Sequence, residues 1–167
     1  MASVLTSSLL GAVRERFALD WHGIHGAPHW ARVRLNGLAI ARHNSARTDV
    51  VELFAFLHDS CRIHDGRDRD HGLRAVEFAH QLRDQAFALD DTGFALLVHA
   101  CATHSDGHMD GDPTVQACWD ADRLDLGRVS IMPSPKFLSQ EAVKHIDAAY
   151  RWSREHRNRD HYRELEL

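Results

Sequence analysis

Val50, Val51, Leu53, Phe54, Ala55, Phe56 and Leu57 form a run broken only by Glu52, and His58-Asp59 follow it directly. A helix apolar on nearly every side is stable only when buried on nearly every side, so the rest of the chain must wrap this one. Asp49, with Glu52 three residues on, reads as its N-terminal capping box. The other end poses a problem. An ionised Asp59 near the C-terminal end of a helix meets the unfavourable end of the macrodipole. In a poorly solvated place such a charge is costly unless a cation meets it. Two outcomes are open from this segment alone. Either the helix end is solvated and His58 merely packs, or the adjacent His and Asp face one metal ion.

The remaining segments also read as helices. Apolar residues at Leu5, Leu9, Val13 and Phe17 have helical spacing and predict a first helix over 5–18. A loop rich in Gly and His covers 20–28, and Pro28 opens a second helix to about residue 42. After the buried helix, 63–70 is a mixed-charge loop, and a fourth helix over 71–85 is expected to bury Leu73, Val76, Phe78, Ala79 and Leu82. Asp90 or Asp91 caps a fifth helix covering 94–104. Asp112-Pro113 is an N-cap followed by Pro at the first helical position, and the helix it opens carries 115–122. An irregular connection holds Pro133 and Pro135, and Ser139 caps a last helix over about 140–156. The tail 157–167 is charged and is expected to fray. No stretch alternates with period two for long enough to be a strand. The expectation is one all-α domain of six or seven helices over 1–167.

Composition narrows the function classes. The formal charge of −4 argues against a stable nucleic-acid partner and against a basic membrane-binding patch. No apolar run approaches a membrane span, and Arg14, Glu15 and Arg16 follow Leu9-Leu10 too soon for a secretory signal. Cys61, Cys101 and Cys118 are widely spaced, as expected for reduced, buried thiols in a cytoplasmic protein. The 14 histidines are the unusual count, and His is the commonest metal ligand.

Five segments place candidate ligands on helices or their ends: His29, His58-Asp59, His71, His104 and Asp120. Helices in a bundle can bring such groups to one pocket. The order His29, His58-Asp59 on a buried helix, then a distant Asp in CWDADRLDL resembles the HD superfamily of metal-dependent phosphohydrolases, over about 25–126. In the family's final motif, Asp-x-Asp-x-x-Asp, the first Asp is the ligand, which picks Asp120 over Asp122. The resemblance implies an all-α fold, a metal held by His29, His58, Asp59 and Asp120, and hydrolysis of a small phosphate ester or nucleotide through a metal-activated water. Two imidazoles and two carboxylates suit Mn²⁺, Fe²⁺, Co²⁺, Ni²⁺ or Zn²⁺. His71 and His104 match further histidines that some members use for a second metal or for phosphate, Asp59 bridging in the two-metal case. One ion is the expectation. The chain lacks the Gly-Tyr-Pro segment of the cyclic-dinucleotide branch.

The other assignments are these. Arg32, one turn after His29, either contacts a substrate phosphate or pairs with a carboxylate. Asp59 is also a catalytic candidate, and Asp65 and Asp68 are candidates for general acid in an otherwise solvated loop. His22 and His25 are read as loop residues, His99 as a core or supporting residue, and Trp30 and Trp119 as core. Asp122 and Asp125 are assigned to salt bridges with Arg123, Arg128 or Lys136. Two rival functions remain: a di-iron oxygenase of the same fold using His71 and His104 as second-iron ligands, and a non-enzymatic, metal-stabilised regulatory module.

Overall fold

The computed structural model describes residues 4–155. The chain is all-α. It runs through α1 (Ser7–Arg16), α2 (Ala27–Ala41), α3 (Thr48–Leu57), α4 (His71–Leu82), α5 (Asp91–Thr103), α6 (Pro113–Leu124), α7 (Gln140–Val143) and α8 (Ile146–Glu155). Short 3-10 turns at Asp125–Val129 and Pro135–Phe137 join α6 to α7. Among the described residues the sole β feature is an isolated bridge between Arg83 and Phe87.

The apolar run behaves as its composition requires. Every residue from Val50 to Leu57 is buried, and α3 packs against α1, α2, α5 and α6. Its N-terminus differs from expectation, because no capping box forms. Asp49 is ion-paired with Arg47, Nη2 to Oδ2 at 2.7 Å, and Glu52 accepts from Arg34. Asp49 Oδ1 still accepts from the Val50 amide at 2.8 Å, but no side chain caps the helix.

The other caps follow the sequence. Asp90 accepts from the Gly93 amide at 2.7 Å and Asp112 from the Thr114 amide at 2.7 Å. Ser139 Oγ accepts from the Ala142 amide. Pro28 and Pro113 each lie in a first turn, where their missing N–H costs nothing. The expected last helix is split at Lys144-His145 into α7 and α8. The tail 157–167 lies outside the described residues.

Two close approaches set the geometry around α3. A Cβ at Gly37 would collide with Val51, so α2 lies tightly on α3. One at Gly72 would collide with the Cys101 carbonyl, so the start of α4 lies against the end of α5. Leu73, expected to be buried, is instead 55% exposed. The face of α4 that meets the core carries His71, Gly72, Ala75, Ala79 and Leu82, because the tight seat at Gly72 fixes the helix rotation. Trp30 and Trp119 are core residues, and the three cysteines are buried and free.

Candidate metal centre

His58 caps the C-terminus of α3 and His104 that of α5. Each imidazole turns back on its own helix. His58 Nδ1 donates to the Phe54 carbonyl at 3.1 Å, and His104 Nδ1 donates to the Cys101 carbonyl at 2.8 Å. A carbonyl only accepts, so in the neutral form of both rings Nε2 is left as a lone pair pointing away from the helix end. His71, at the start of α4, does the same with the Asp68 carbonyl. His29, in the first turn of α2, donates from Nδ1 to Asp125 Oδ2 at 2.7 Å, so its Nε2 also presents a lone pair.

These lone pairs converge. His29 Nε2 and His58 Nε2 are 3.2 Å apart. Asp59 Oδ2 lies 3.7 Å from each of them. Asp122 Oδ1 completes the group, 3.4 Å from His29 Nε2 and 3.8 Å from His58 Nε2. Ligands about 2.1 Å from a transition metal lie about 3.0–3.4 Å apart in octahedral or tetrahedral arrangement, so the spacing suits one ion. Without a cation, four acceptors would face one another in a buried place, an arrangement that costs free energy. The donor set therefore fits a divalent metal.

A second group shares Asp59. Its Oδ1 lies 3.2 Å from His71 Nε2 and 3.7 Å from His104 Nε2. Those two nitrogens are 2.8 Å apart. Asp59 is thus surrounded on both oxygens, and His25 Nδ1 donates to Oδ2 at 2.9 Å. Burial would raise the Asp59 carboxyl, but the ring of histidines holds it well below the usual carboxylate range. Burial lowers the His58 imidazole to about 3, which keeps it neutral and available as a ligand. Burial would lower His104 too, but the Asp59 hydrogen bond and charge carry it above the ordinary histidine value.

Asp120 does not join the group. It is fully buried, but on another face of α6, where it accepts from Gln116 Nε2 at 2.7 Å and from the Ser139 amide at 3.2 Å. Burial raises its pKa, with these donors opposing the shift. The expectation of Asp120 as the distant ligand does not match this geometry: Asp122, two residues on and nearly opposite around the helix, is the carboxylate that lies with the candidate ligands. Asp122 and Asp125 lie three apart on one face, and both meet His29. Asp125 forms the expected salt bridge with Arg128, and a closer one with Arg32, whereas Asp122 faces His29 and His58 instead.

Arg32 resolves toward pairing. It is 1% exposed and donates from Nε to Asp125 Oδ1 at 2.6 Å and from Nη2 to Oδ2 at 3.1 Å. It therefore acts on His29 through Asp125 and is not placed to meet a substrate. Asp68 is occupied by Arg74 at 2.6 Å and by the Ile63 amide at 3.0 Å, which braces the loop rather than offering an acid. Asp65 is exposed, and it is its backbone carbonyl that faces His25 Nε2, at 3.3 Å. His22 is an exposed loop residue, as expected. His99 is not core: its half-exposed ring pairs with Asp110 at 2.8 Å.

Three contributors went unrecognised in the sequence: His25, Arg62 and Asp125. The spacing of Asp125 from Asp122, matching that of Arg32 from His29, was the readable signal for one of them. His25 is carried in by a tight loop, held by edge-to-face packing of Phe17, Trp21 and Trp30, that periodicity does not reveal.

The centre opens into a cavity of about 430 Å³. Asp59, Asp122 and His104 lie at one side, Arg62, Arg123 and Arg128 also face it, and Leu126, Ile131, Met132 and Phe137 give it an apolar wall. No described helix is long and apolar enough to cross a membrane. Comparison of the chain with protein-family models, with curated proteins and with solved structures gave no match.

Proposed function

We propose that the chain is a metal-dependent phosphohydrolase acting on a small phosphate ester or nucleotide. One observation carries the reading: the imidazole lone pairs of His29 and His58 and the carboxylates of Asp59 and Asp122 converge beside a cavity lined by arginines. A divalent transition metal held there would acidify a bound water and polarise a phosphoryl oxygen.

The chain's own residues supply the rest. Asp125, itself clamped by Arg32, keeps His29 in the tautomer that offers Nε2. His25 holds Asp59 Oδ2, so the carboxylate plane is fixed on both sides. Arg123 is anchored on the Phe137 and His108 carbonyls, and Arg128 on that of Ile24. Their charges are thus fixed before substrate arrives, the condition under which positive groups best stabilise charge developing on phosphoryl oxygens. The wall of Leu126, Ile131, Met132 and Phe137 suits the non-phosphate part of an ester.

Metal-loaded protein, supplied in turn with Mn²⁺, Fe²⁺, Co²⁺, Ni²⁺ and Zn²⁺, should hydrolyse members of a broad panel of monoesters, diesters and nucleotides, releasing phosphate from a monoester and a monoester plus alcohol from a diester. Inertness of protein with proven bound metal across that panel would favour the non-enzymatic module. The oxygenase reading draws on Asp59 Oδ1 facing His71 and His104. It requires two irons per chain and oxygen-dependent turnover, both directly measurable.

A further inference from the structure

Asp59 Oδ1, His71 Nε2 and His104 Nε2 have the composition of a second metal site, but a cation from the chain already addresses them. Arg62 Nη1 donates to His71 Nε2 at 3.2 Å and to Asp59 Oδ1 at 3.4 Å. Its Nη2 is tied to the Gly66 carbonyl at 2.8 Å, and the side chain is 9% exposed. We infer that Arg62 is a built-in replacement for a second metal ion and makes the centre mononuclear.

The argument is one of lone pairs. With Nδ1 donating to the Asp68 carbonyl, His71 has a single in-plane lone pair, on Nε2. A guanidinium N–H and a metal ion cannot both take it. A dication at this position would also stand beside a permanent positive charge, since an Arg does not deprotonate in proteins. The guanidinium cannot withdraw cheaply, because it would leave Asp59, His71 and the Gly66 carbonyl at once. The first group, His29, His58, Asp59 Oδ2 and Asp122, meets a different donor: His25 Nδ1 donates to Asp59 Oδ2 at 2.9 Å, and a carboxylate oxygen keeps a second lone pair for an ion. The two halves of the cluster are therefore chemically unequal: one offers four acceptors to an ion, and the other is served by an arginine that also faces the cavity. In the proposed reaction that arginine presents a fixed charge to substrate where a dinuclear enzyme would present its second ion.

This inference rests on the metal reading above, and its test separates the two. Full-length protein is stripped with chelator and titrated with Mn²⁺, and bound ions are counted by elemental analysis and by the electron paramagnetic resonance of the bound metal. Wild type should saturate at one ion per chain with the spectrum of isolated Mn²⁺. Arg62→Gln and Arg62→Met should each take a second ion, with the exchange coupling of a bridged pair. Two ions in wild type, or one ion in folded variants, would overturn the role of Arg62. Zero ions in wild type would remove the metal reading itself, and this role with it. Arg62→Gln keeps a donor for the Gly66 carbonyl in case Arg62→Met fails to fold, and the wild-type count needs no variant.

Discussion

The Asp122 carboxylate faces the Nε2 lone pairs of His29 and His58, whereas Asp120 faces Gln116 and the Ser139 amide. Asp122→Asn is therefore expected to lose nearly all metal affinity and, with it, the proposed hydrolytic activity. Asp120→Asn should retain the ion. Because burial disfavours the Asp120 charge, neutralising it should change stability by no more than about 1 kcal/mol. Isothermal titration with Mn²⁺ or Ni²⁺, alongside urea unfolding, measures both variants. Loss of the ion from the Asp120 variant alone would reverse the assignment. A subtler effect is expected one bond further out. Asp125 touches no candidate metal position but fixes the His29 tautomer. Asp125→Asn should weaken metal binding about 10–100-fold while leaving about one ion per chain at saturation. An unchanged affinity would show that His29 needs no such support.

Elements explain why these residues meet, and how much of that was readable. The apolar run announced α3 as the central helix, and the caps at Asp90, Asp112 and Ser139 announced three other starts correctly. That His29, His58 and Asp59 lie together was legible through the resemblance of their order along the chain to a known pattern. Asp120 misled because its burial is real: the Ser139 amide and Gln116, from positions that no local pattern connects to it, supply the compensation that a metal was expected to supply. Loops were least legible, since the loop over 62–70 owes its shape to contacts between side chains. Asp68 is the brace there, bonded to Arg74 and to the Ile63 amide. Burial would raise its carboxyl, but those partners hold it below its ordinary value. A depressed carboxylate stabilises the fold fully above its unfolded pKa, about 3.9, and the benefit fades as pH falls toward the folded value. Asp68→Asn should thus cost about 1–2 kcal/mol at pH 7, and the difference from wild type should shrink below about pH 4. Urea midpoints of chelated protein at several pH values give the profile. A cost independent of pH would mean that the carboxylate charge plays no part.

At the scale of the whole molecule, the candidate ligands come from α2, the end of α3 and α6, so one ion would tie together helices distant in sequence. Anything bound only by the native state stabilises it by mass action, about 2.7 kcal/mol at a free concentration of 100 times Kd. Chelation should lower Tm by several degrees while far-UV circular dichroism stays nearly constant. The buried hydrophobic cluster running from Leu9 to Ala149 holds the helices without the ion. An unchanged melting curve after proven metal removal would argue against a shared site. The same sequence separation fixes an order of events during synthesis. His29 and the Asp125 that orients it are 96 residues apart. A nascent chain on the ribosome can build α2 and α3 early, but their shared face awaits α6. Until then the emerging polypeptide carries an uncovered apolar surface and half a coordination sphere. Capture of an ion by this candidate site would therefore be a late step, completed only after α6 has left the exit tunnel. A transcript truncated before Asp122 should yield stalled chains that bind chaperones but hold no ion.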